Sequence, residues 1–264
     1  MLSAPPSKGN GLPLLEISDV GVRFGGVVAL DGLTFGVEEG QICALIGPNG
    51  AGKTTLFNVV SRLYEATQGS VRFDGAELLP LAPHRIVGLG IARTFQNLAL
   101  VPGMSVLDNV RIGAHSRTSG GFWAGAAWVT QLGAERRLRA EAMAVLDRLG
   151  LAGIALRPCA GLPFGTLKRI EIARSLAASP RMLLLDEPAS GLTHGEVDEL
   201  GSVIKGLRDD LGLTVLLVEH HMGMVMGISD HVVVMEFGRK IAEGTPAEVQ
   251  DDSRVIAAYL GGTE

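Results

Sequence analysis

The sequence predicts an α/β fold with a mainly parallel sheet, an N-terminal antiparallel β subdomain and an α-helical subdomain. From residue 181 onward, short apolar runs typical of buried strands alternate with helical patterns. This alternation indicates a parallel sheet with crossover helices. Earlier strand candidates are joined by short turns, which favours antiparallel pairing. With 264 residues, the chain is long enough for one large domain with a substantial core.

The N-terminal part supplies the antiparallel strands. Residues 14–20 alternate between apolar and polar side chains, and residues 23–26 are predicted to turn the chain. Further strands are predicted at residues 33–37 and 70–75. Residues 1–11 lack the charged and then apolar pattern of a signal peptide, so we interpret them as a flexible tail and take the cytoplasm as the default compartment.

A glycine-rich segment lies between a predicted strand at residues 41–46 and a predicted helix at residues 55–60. The segment consists of Gly47, Pro48, Asn49, Gly50, Ala51, Gly52, Lys53, Thr54 and Thr55. Backbone N–H groups of such a turn, together with a helix N-terminus, bind anions. Lys53 adds a positive charge for the β- and γ-phosphates, and Thr54 offers a hydroxyl to Mg²⁺. The chain is therefore predicted to have a P-loop NTPase core that binds a nucleoside triphosphate.

An apolar strand predicted at residues 182–186 ends in two carboxylates. At the carboxyl end of a buried strand beside the P-loop, Asp186 can hold Mg²⁺ directly or through water. Strand alternation predicts that Glu187 points to the opposite face, where it polarises a water for attack on the γ-phosphate. The alternative is that these residues merely end the strand before Pro188.

Two amphipathic helices are predicted in the middle of the chain, at residues 134–149 with Gly150 as the stop, and at residues 166–178. Beyond the strand at 182–186, a helix is predicted at 196–208, followed by strands at 214–219 and 231–236.

Composition excludes some classes of function. A net charge of −5 does not favour a broad nucleic-acid surface. Apolar runs such as residues 122–129 fall short of the about 20 residues that span a bilayer. Cys43 and Cys159 are far apart, which favours buried free thiols over a disulfide or a metal site.

From about residue 14 to residue 261, the order of these motifs resembles the nucleotide-binding subunit of an ABC transporter. The resemblance implies that Phe24 stacks on adenine and that His220 contacts the γ-phosphate. It implies that Gln96 contacts Mg²⁺ and the attacking water and senses a transmembrane partner. The turn at residues 189–193 corresponds in part to one that crosses the interface between two such subunits.

Each of these residues also has an ordinary structural interpretation. Taken alone, Phe24 is more typical of a core residue, Gln96 of a surface amide and His220 of a histidine at a strand end. His221 is the less favoured histidine, because it lies one residue past the position in the family. The joint order of the motifs favours the functional interpretation.

One motif departs from the family, whose signature Leu-Ser-Gly-Gly-Gln precedes a helix. Here the segment is Leu162, Pro163, Phe164, Gly165 and Thr166. The glycine and the helix N-terminus are retained, whereas the serine hydroxyl is lost and proline has no N–H to donate. The resemblance implies that Leu162, Gly165 and Thr166 still contact the ATP of a partner subunit, in a weakened or rebuilt form. We expect any side chain at Gly165 to obstruct this contact.

Further segments resemble the ATPase subunits of branched-chain (hydrophobic) amino-acid importers. These are residues 90–97, 104–110, 168–174, 218–222, 244–248 and 255–261. The resemblance implies ATP-driven uptake of branched-chain or other hydrophobic amino acids, with Mg²⁺ as cofactor. It implies transmembrane permease subunits, a second ATPase subunit (an identical copy or a paralogue) and, indirectly, an extracytoplasmic solute-binding protein. The chain would lie at the cytoplasmic face of the inner membrane, without binding nucleic acid.

The resemblance also implies a single ABC ATPase domain at residues 12–264, with its helical subdomain at about 98–178. Residues 120–129 are apolar and either contact the permease or bilayer edge or form a short packed helical insert. Of these two interpretations, the helical insert is favoured.

Alternative functions are the ATPase of a urea or amide importer, that of lipopolysaccharide export, and a soluble ABC protein. The soluble class usually has two linked cassettes or a long coiled coil. A P-loop kinase needs an acceptor lid and has no need of this motif order.

Overall fold

The computed structural model describes residues 12–94, 98–114 and 128–260 and confirms the predicted fold class. The strands are β1 (Leu15–Phe24), β2 (Val27–Val37), β3 (Ile42–Ile46), β4 (Gln68–Phe73), β5 (Ala76–Glu77), β6 (Ile91–Arg93), β7 (Met182–Asp186), β8 (Thr214–Val218), β9 (His231–Glu236) and β10 (Arg239–Gly244). The helices are α1 (Lys53–Val60), α2 (Pro83–Gly88), α3 (Val106–Ala114), α4 (Trp128–Arg148), α5 (Phe164–Leu176), α6 (His194–Leu211), α7 (Met222–Ile228), α8 (Pro246–Gln250) and α9 (Ser253–Leu260), with a 3-10 turn at Ala152–Ile154.

An antiparallel sheet in the order β2-β1-β4-β5 forms the N-terminal part. Its first hairpin is longer than the sequence predicts, because the β1–β2 ladder continues to the pair Phe24 and Val27. The predicted turn at 23–26 is therefore wrong for its first two residues. Gly25, with a φ of 56°, supplies the left-handed conformation that lets so short a turn close the hairpin.

The second sheet has the order β10-β9-β3-β8-β7-β6, parallel except for β10 at one edge. Val218 at the end of β8 pairs with Leu45 of β3 on one side and with Asp186 of β7 on the other. The carboxyl ends of three neighbouring strands therefore meet at one edge of the sheet. This register brings together the glycine-rich segment, the carboxylates of Asp186 at the end of β7 and of Glu187 just after it, and the histidines after β8.

Alternating side chains of the parallel strands fill two separate layers of the core. Leu184 and Leu216 point into the layer between the two sheets, where α1 buries Leu56 and Phe57. On the other face, residues such as Leu185 pack against α3, α5 and α6. Helix α1 is thus packed in the layer between the two sheets, which fixes the position of its N-terminus.

Several predicted boundaries are wrong by a few residues. Helix α4 begins at Trp128 rather than at residue 134, and α6 begins at His194, where Thr193 and Glu196 form a capping box. Helix α5 begins at Phe164 rather than at 166, because Pro163, with a φ of −55°, acts as its N-cap. Strand β8 ends at Val218, which leaves Glu219 outside the ladder.

Cys43 and Cys159 are free and buried, as predicted, and burial raises the pKa of both thiols. The predicted tail at residues 1–11 and residues 120–127 of the apolar segment lie outside the described residues. Within the described parts of the chain, no helix combines the length and apolarity needed to cross a membrane. The division into a helical subdomain at about 98–178 stays a prediction.

Helices α3 and α5 cross closely at Gly113, where a Cβ would lie 1.8 Å from the Arg174 carbonyl oxygen. We expect Gly113→Ala to lower the free energy of unfolding by about 1–3 kcal/mol, because the helices have to separate. Gly206→Ala, at a position of α6 with nothing within 4 Å of the new methyl, is the matched control. Its higher helix propensity raises stability by up to about 1 kcal/mol. Urea unfolding measures both; equal shifts would contradict the close crossing.

Candidate active site

The glycine-rich loop follows β3 and leads into α1, which begins at Lys53. Two glycines have close backbone neighbours. A Cβ on Gly47 would lie 2.1 Å from the carbonyl oxygen of Met235, and one on Gly52 would lie 2.5 Å from that of Ala29. Gly52 also has a φ of 99°, a conformation that side chains disfavour. The loop is therefore fixed between β9 and β2 in a shape that requires glycine at both positions.

The rest of the loop presents backbone and hydroxyl groups at an open edge. Asn49, Gly50 and Thr54 are exposed, Pro48, Gly52 and Thr55 are half-buried, and Ala51 is buried. The Ala51 carbonyl accepts a hydrogen bond of 3.0 Å from the N–H of Gly238, which anchors the loop to the β9–β10 turn. The N-cap of α1 is a glycine that makes no side-chain capping bond. The first N–H groups of α1 thus suit an anion.

Lys53 is folded back onto the loop that it follows. Its Nζ donates to the carbonyl oxygens of Gly47 at 2.6 Å and Pro48 at 2.9 Å. Burial lowers the pKa of Lys53, against the opposing charges of Glu187 and Asp186, which raise it. Both carboxylates are therefore close enough to act on this ammonium group, and the site combines one lysine with two acids.

Phe24 lies at the end of β1 and is 47% exposed, so its interpretation as a core residue is wrong. Its ring meets that of Tyr64 edge to face, with centroids 5.1 Å apart. Tyr64 follows α1 and was not predicted as a site residue. A half-exposed aromatic pair of this kind can offer a ring face to a planar ligand such as a nucleobase.

Asp186 ends β7 and is 3% exposed. Its Oδ2 accepts a hydrogen bond of 2.8 Å from Arg93, at the end of the neighbouring strand β6. Arg93 also donates to Asn58 at 2.8 Å and lies over the ring of Phe57 in α1. Arg93 was not predicted as a site residue, although it lies three residues before Gln96 in the segment 90–97 that resembles importer ATPases. It fixes the orientation of the Asp186 carboxylate.

Glu187 reaches the site by a different route from the predicted one. The strand ends at Asp186, and Glu187 has a φ of 49°, in the left-handed region. Strand alternation therefore does not set its direction. Its backbone N–H donates to the Val218 carbonyl at 2.9 Å, which continues the connection to β8 for one further residue. A left-handed glutamate costs about 1–3 kcal/mol, and such strain is typical of functional sites.

His220 and Glu187 face each other, with His220 Nε2 2.6 Å from Glu187 Oε1. His220 is 43% exposed and Glu187 is 18% exposed, so the pair lies at the surface of the site. His221 turns away and places its Nδ1 3.1 Å from Glu219 Oε2. Of the two histidines, His220 is thus the one beside the predicted catalytic carboxylate.

The divergent signature segment packs against the turn that follows Glu187. Phe164 is exposed for 45% of its surface, and its ring lies 3.0 Å from where a Cβ on Gly191 would stand. Leu162 is buried and Thr166 half-buried. A Cβ on Gly165 would lie 2.7 Å from Glu196 Oε1 of the same chain. A side chain at Gly165, which we expected to obstruct the contact with the ATP of a partner subunit, would thus first meet Glu196 of its own subunit.

Gln96 lies outside the described residues, so its assignment stays a prediction. Two other residues were missed. Glu219 is a buried acid among the histidines after β8, and an acid at the end of an apolar strand was a usable signal. Tyr259 on α9 lies near the backbone of Gly47, which lowers the pKa of its phenol, whereas burial raises this pKa more strongly. It belongs to the C-terminal segment noted for its resemblance to importer ATPases.

Comparisons with known proteins show the family of this chain. Residues 30–190 match the ABC transporter family, and residues 239–264 match the C-terminal family of branched-chain amino acid ATP-binding cassette transporters. The high-affinity branched-chain amino acid transport ATP-binding protein BraF of Pseudomonas aeruginosa is 43% identical, over 94% of this chain and 98% of its own. LivG of Escherichia coli, of the same description, is 38% identical over the same shares. A solved ATP-binding cassette of an ABC transporter in its ADP conformation is 31% identical, with a TM-score of 0.83, over 95% of this chain and 99% of its own.

We expect Lys53→Ala to abolish tight binding of ATP–Mg²⁺, because it removes the positive charge beside the phosphates. Lys205→Ala, which removes an exposed charge of α6, is the control and should bind as the wild type does. Isothermal titration calorimetry measures both affinities. Wild-type affinity in Lys53→Ala would contradict the assignment of the loop.

Proposed function

This chain belongs to the ABC transporter family as one of its ATP-hydrolysing subunits, and from this premise we propose that it powers uptake of branched-chain or other hydrophobic amino acids through a membrane permease. The observation that best supports ATP hydrolysis is the distance of 2.6 Å between His220 Nε2 and Glu187 Oε1, at the sheet edge that also bears the P-loop. Glu187 acts as the general base that polarises the attacking water. His220 holds this carboxylate in place and contacts the γ-phosphate.

ATP binding is proposed to exchange the internal bonds of Lys53 for bonds to phosphate. In the structure, its ammonium group is bound by two loop carbonyls, and these are weaker partners than phosphate oxygens. The N–H groups from Gly50 to Thr55 surround the phosphates. Phe24, supported by Tyr64, stacks on the adenine.

Mg²⁺ fits the oxygen donors present at this edge. It is held in proteins by one or two carboxylates together with phosphates and water. The exposed hydroxyl of Thr54 and the carboxylate of Asp186, already oriented by Arg93, supply such ligands, and Gln96 is proposed as a further one. Bound there, the ion would neutralise charge on the phosphates.

A second ATPase subunit, an identical copy or a paralogue, is proposed to complete the site. Helix α5 begins at Phe164 without a side-chain cap, so its first N–H groups can face the partner's ATP. Leu162, Gly165 and Thr166 belong to this contact. The missing signature serine makes the contact weaker or different, which affects turnover more than ATP binding.

The chain is proposed to lie at the cytoplasmic face of the inner membrane, bound to transmembrane permease subunits. The segment from Gln96 to Met104 passes the motion of the dimer to the permease. An extracytoplasmic solute-binding protein delivers the solute. The match of residues 239–264 favours the amino-acid branch over urea or amide import and lipopolysaccharide export. We take residues 12–264 as one ABC ATPase domain with its helical subdomain at about 98–178.

We expect Glu187→Gln to retain ATP binding, to slow hydrolysis by roughly 10²-fold or more, and to trap an ATP-bound dimer. The amide cannot accept the proton of the attacking water. Light scattering and phosphate release on one sample measure both effects. Glu38→Gln, exposed just after β2, is the control for loss of a negative charge. A variant that hydrolyses ATP at the wild-type rate would exclude Glu187 as the base.

Transport itself distinguishes the proposed solutes. In a strain that lacks this chain, we expect uptake of labelled leucine to be lost and to return with the wild-type chain but not with Lys53→Ala. Uptake of labelled urea in the same cells is the control and should not change. Loss of urea uptake with normal leucine uptake would assign the chain to the related branch.

A further inference from the structure

Glu219 follows β8 and is 1% exposed, and N–H groups from two loops bind its carboxylate. Oε1 accepts a hydrogen bond of 2.6 Å from the backbone N–H of Ala189. Oε2 accepts bonds from the backbone N–H groups of His220 at 2.8 Å and His221 at 3.3 Å. The side chain of His221 lies 3.1 Å from the same oxygen. Burying a carboxylate is costly without such partners. The N–H groups, in turn, have this carboxylate as their acceptor, so its removal would leave them without it.

These hydrogen bonds lie beyond the end of the β7–β8 ladder, between the loop after β7 and the loop after β8. The β7–β8 ladder ends at the pair Asp186 and Val218, and the N–H of Glu187 adds one more bond to β8. Beyond that point, the carboxylate of Glu219 connects the two loops. It binds the backbone of Ala189, which lies 30 residues away in sequence, and that of His220, the next residue. The two connected loops carry Glu187 and His220, which approach to 2.6 Å.

We propose that Glu219 is a positioning residue for ATP hydrolysis, which holds the backbone of His220 against the turn that begins at Ala189. With the backbone held, His220 keeps Glu187 in its reactive orientation. The same bonds transmit a displacement of the turn at residues 189–193 to His220. Because the resemblance to ABC transporter subunits implies that this turn crosses the interface between two subunits, Glu219 couples closure of the dimer to the catalytic pair. This inference rests on the proposed function.

A purely structural role makes a different prediction. A buried carboxylate that only stabilises the fold would, when removed, lower the free energy of unfolding and reduce activity independently of His220. A positioning residue acts through His220, so its removal has little further effect once the imidazole is absent. A double-mutant cycle on the catalytic rate separates these two cases.

The experiment compares the wild type, Glu219→Gln, His220→Ala and the double variant. Glutamine has nearly the same shape but replaces one acceptor oxygen with an NH₂ group, which cannot accept the bonds made now. We expect Glu219→Gln to lower kcat by about 10-fold to 100-fold and to leave the KM for ATP unchanged. The double variant should be no slower than His220→Ala. Glu243→Gln, a half-exposed glutamate of β10, is the control for the lost charge.

Glu219→Asp gives a second test if the glutamine variant does not fold. It keeps the negative charge, and the shorter side chain still reaches the N–H groups of residues 220 and 221 but withdraws from Ala189. We expect a loss of kcat that again disappears in the His220→Ala background. Wild-type activity in Glu219→Asp would overturn the inference.

If the loss of kcat in the double variant equalled the product of the losses in the two single variants, the inference would likewise be overturned, while the proposed function would remain intact. The two failures are distinguishable, because a wild-type chain that binds ATP without hydrolysing it would contradict the proposed function itself and the inference with it.

Discussion

The arrangement of the site depends on the register of one parallel sheet. Val218 pairs with Leu45 on one side and with Asp186 on the other, so three strands end at the same edge. Parallel strands end in the same direction, and the loops after β3, β7 and β8 are therefore neighbours although they are distant in sequence. A slip of one residue would reverse which face each side chain occupies. Such a slip would disturb the close packing of side chains in both layers and move Asp186 away from the edge.

Attraction between opposite charges positions the side chains that the strand register brings to this edge. The charges of Asp186 and Glu187 act on the ammonium group of Lys53 at the sheet edge, and Arg93 binds Asp186 from the next strand. Buried charges are tolerated only with partners, so each of these groups fixes the position of another. The side chains of the site thus pair with one another and with the backbone of the same chain.

Two non-glycine residues with a left-handed backbone conformation also lie at this edge. Glu187 has a left-handed conformation, as does Phe237 in the turn that precedes Gly238, which binds the P-loop at Ala51. Such residues persist only where neighbouring contacts determine them. For Glu187, these contacts are the bond to Val218 and the approach of His220. The direction of the glutamate is therefore a product of packing between loops, which makes it sensitive to their displacement.

The sequence by itself determined the fold class, the P-loop, the strand that ends in Asp186, and the identity of the acids and histidines near it. These features depend on local patterns: apolar periodicity, glycine spacing and residue order. Only the tertiary structure showed that Glu187 is placed by its backbone conformation, that Arg93 orients Asp186, that Tyr64 supports Phe24, and that Glu219 connects two loops. Each of these contacts joins residues from different elements or depends on where a strand ends. Local sequence patterns predict which segments become strands and helices, whereas strand register and packing decide which side chains meet.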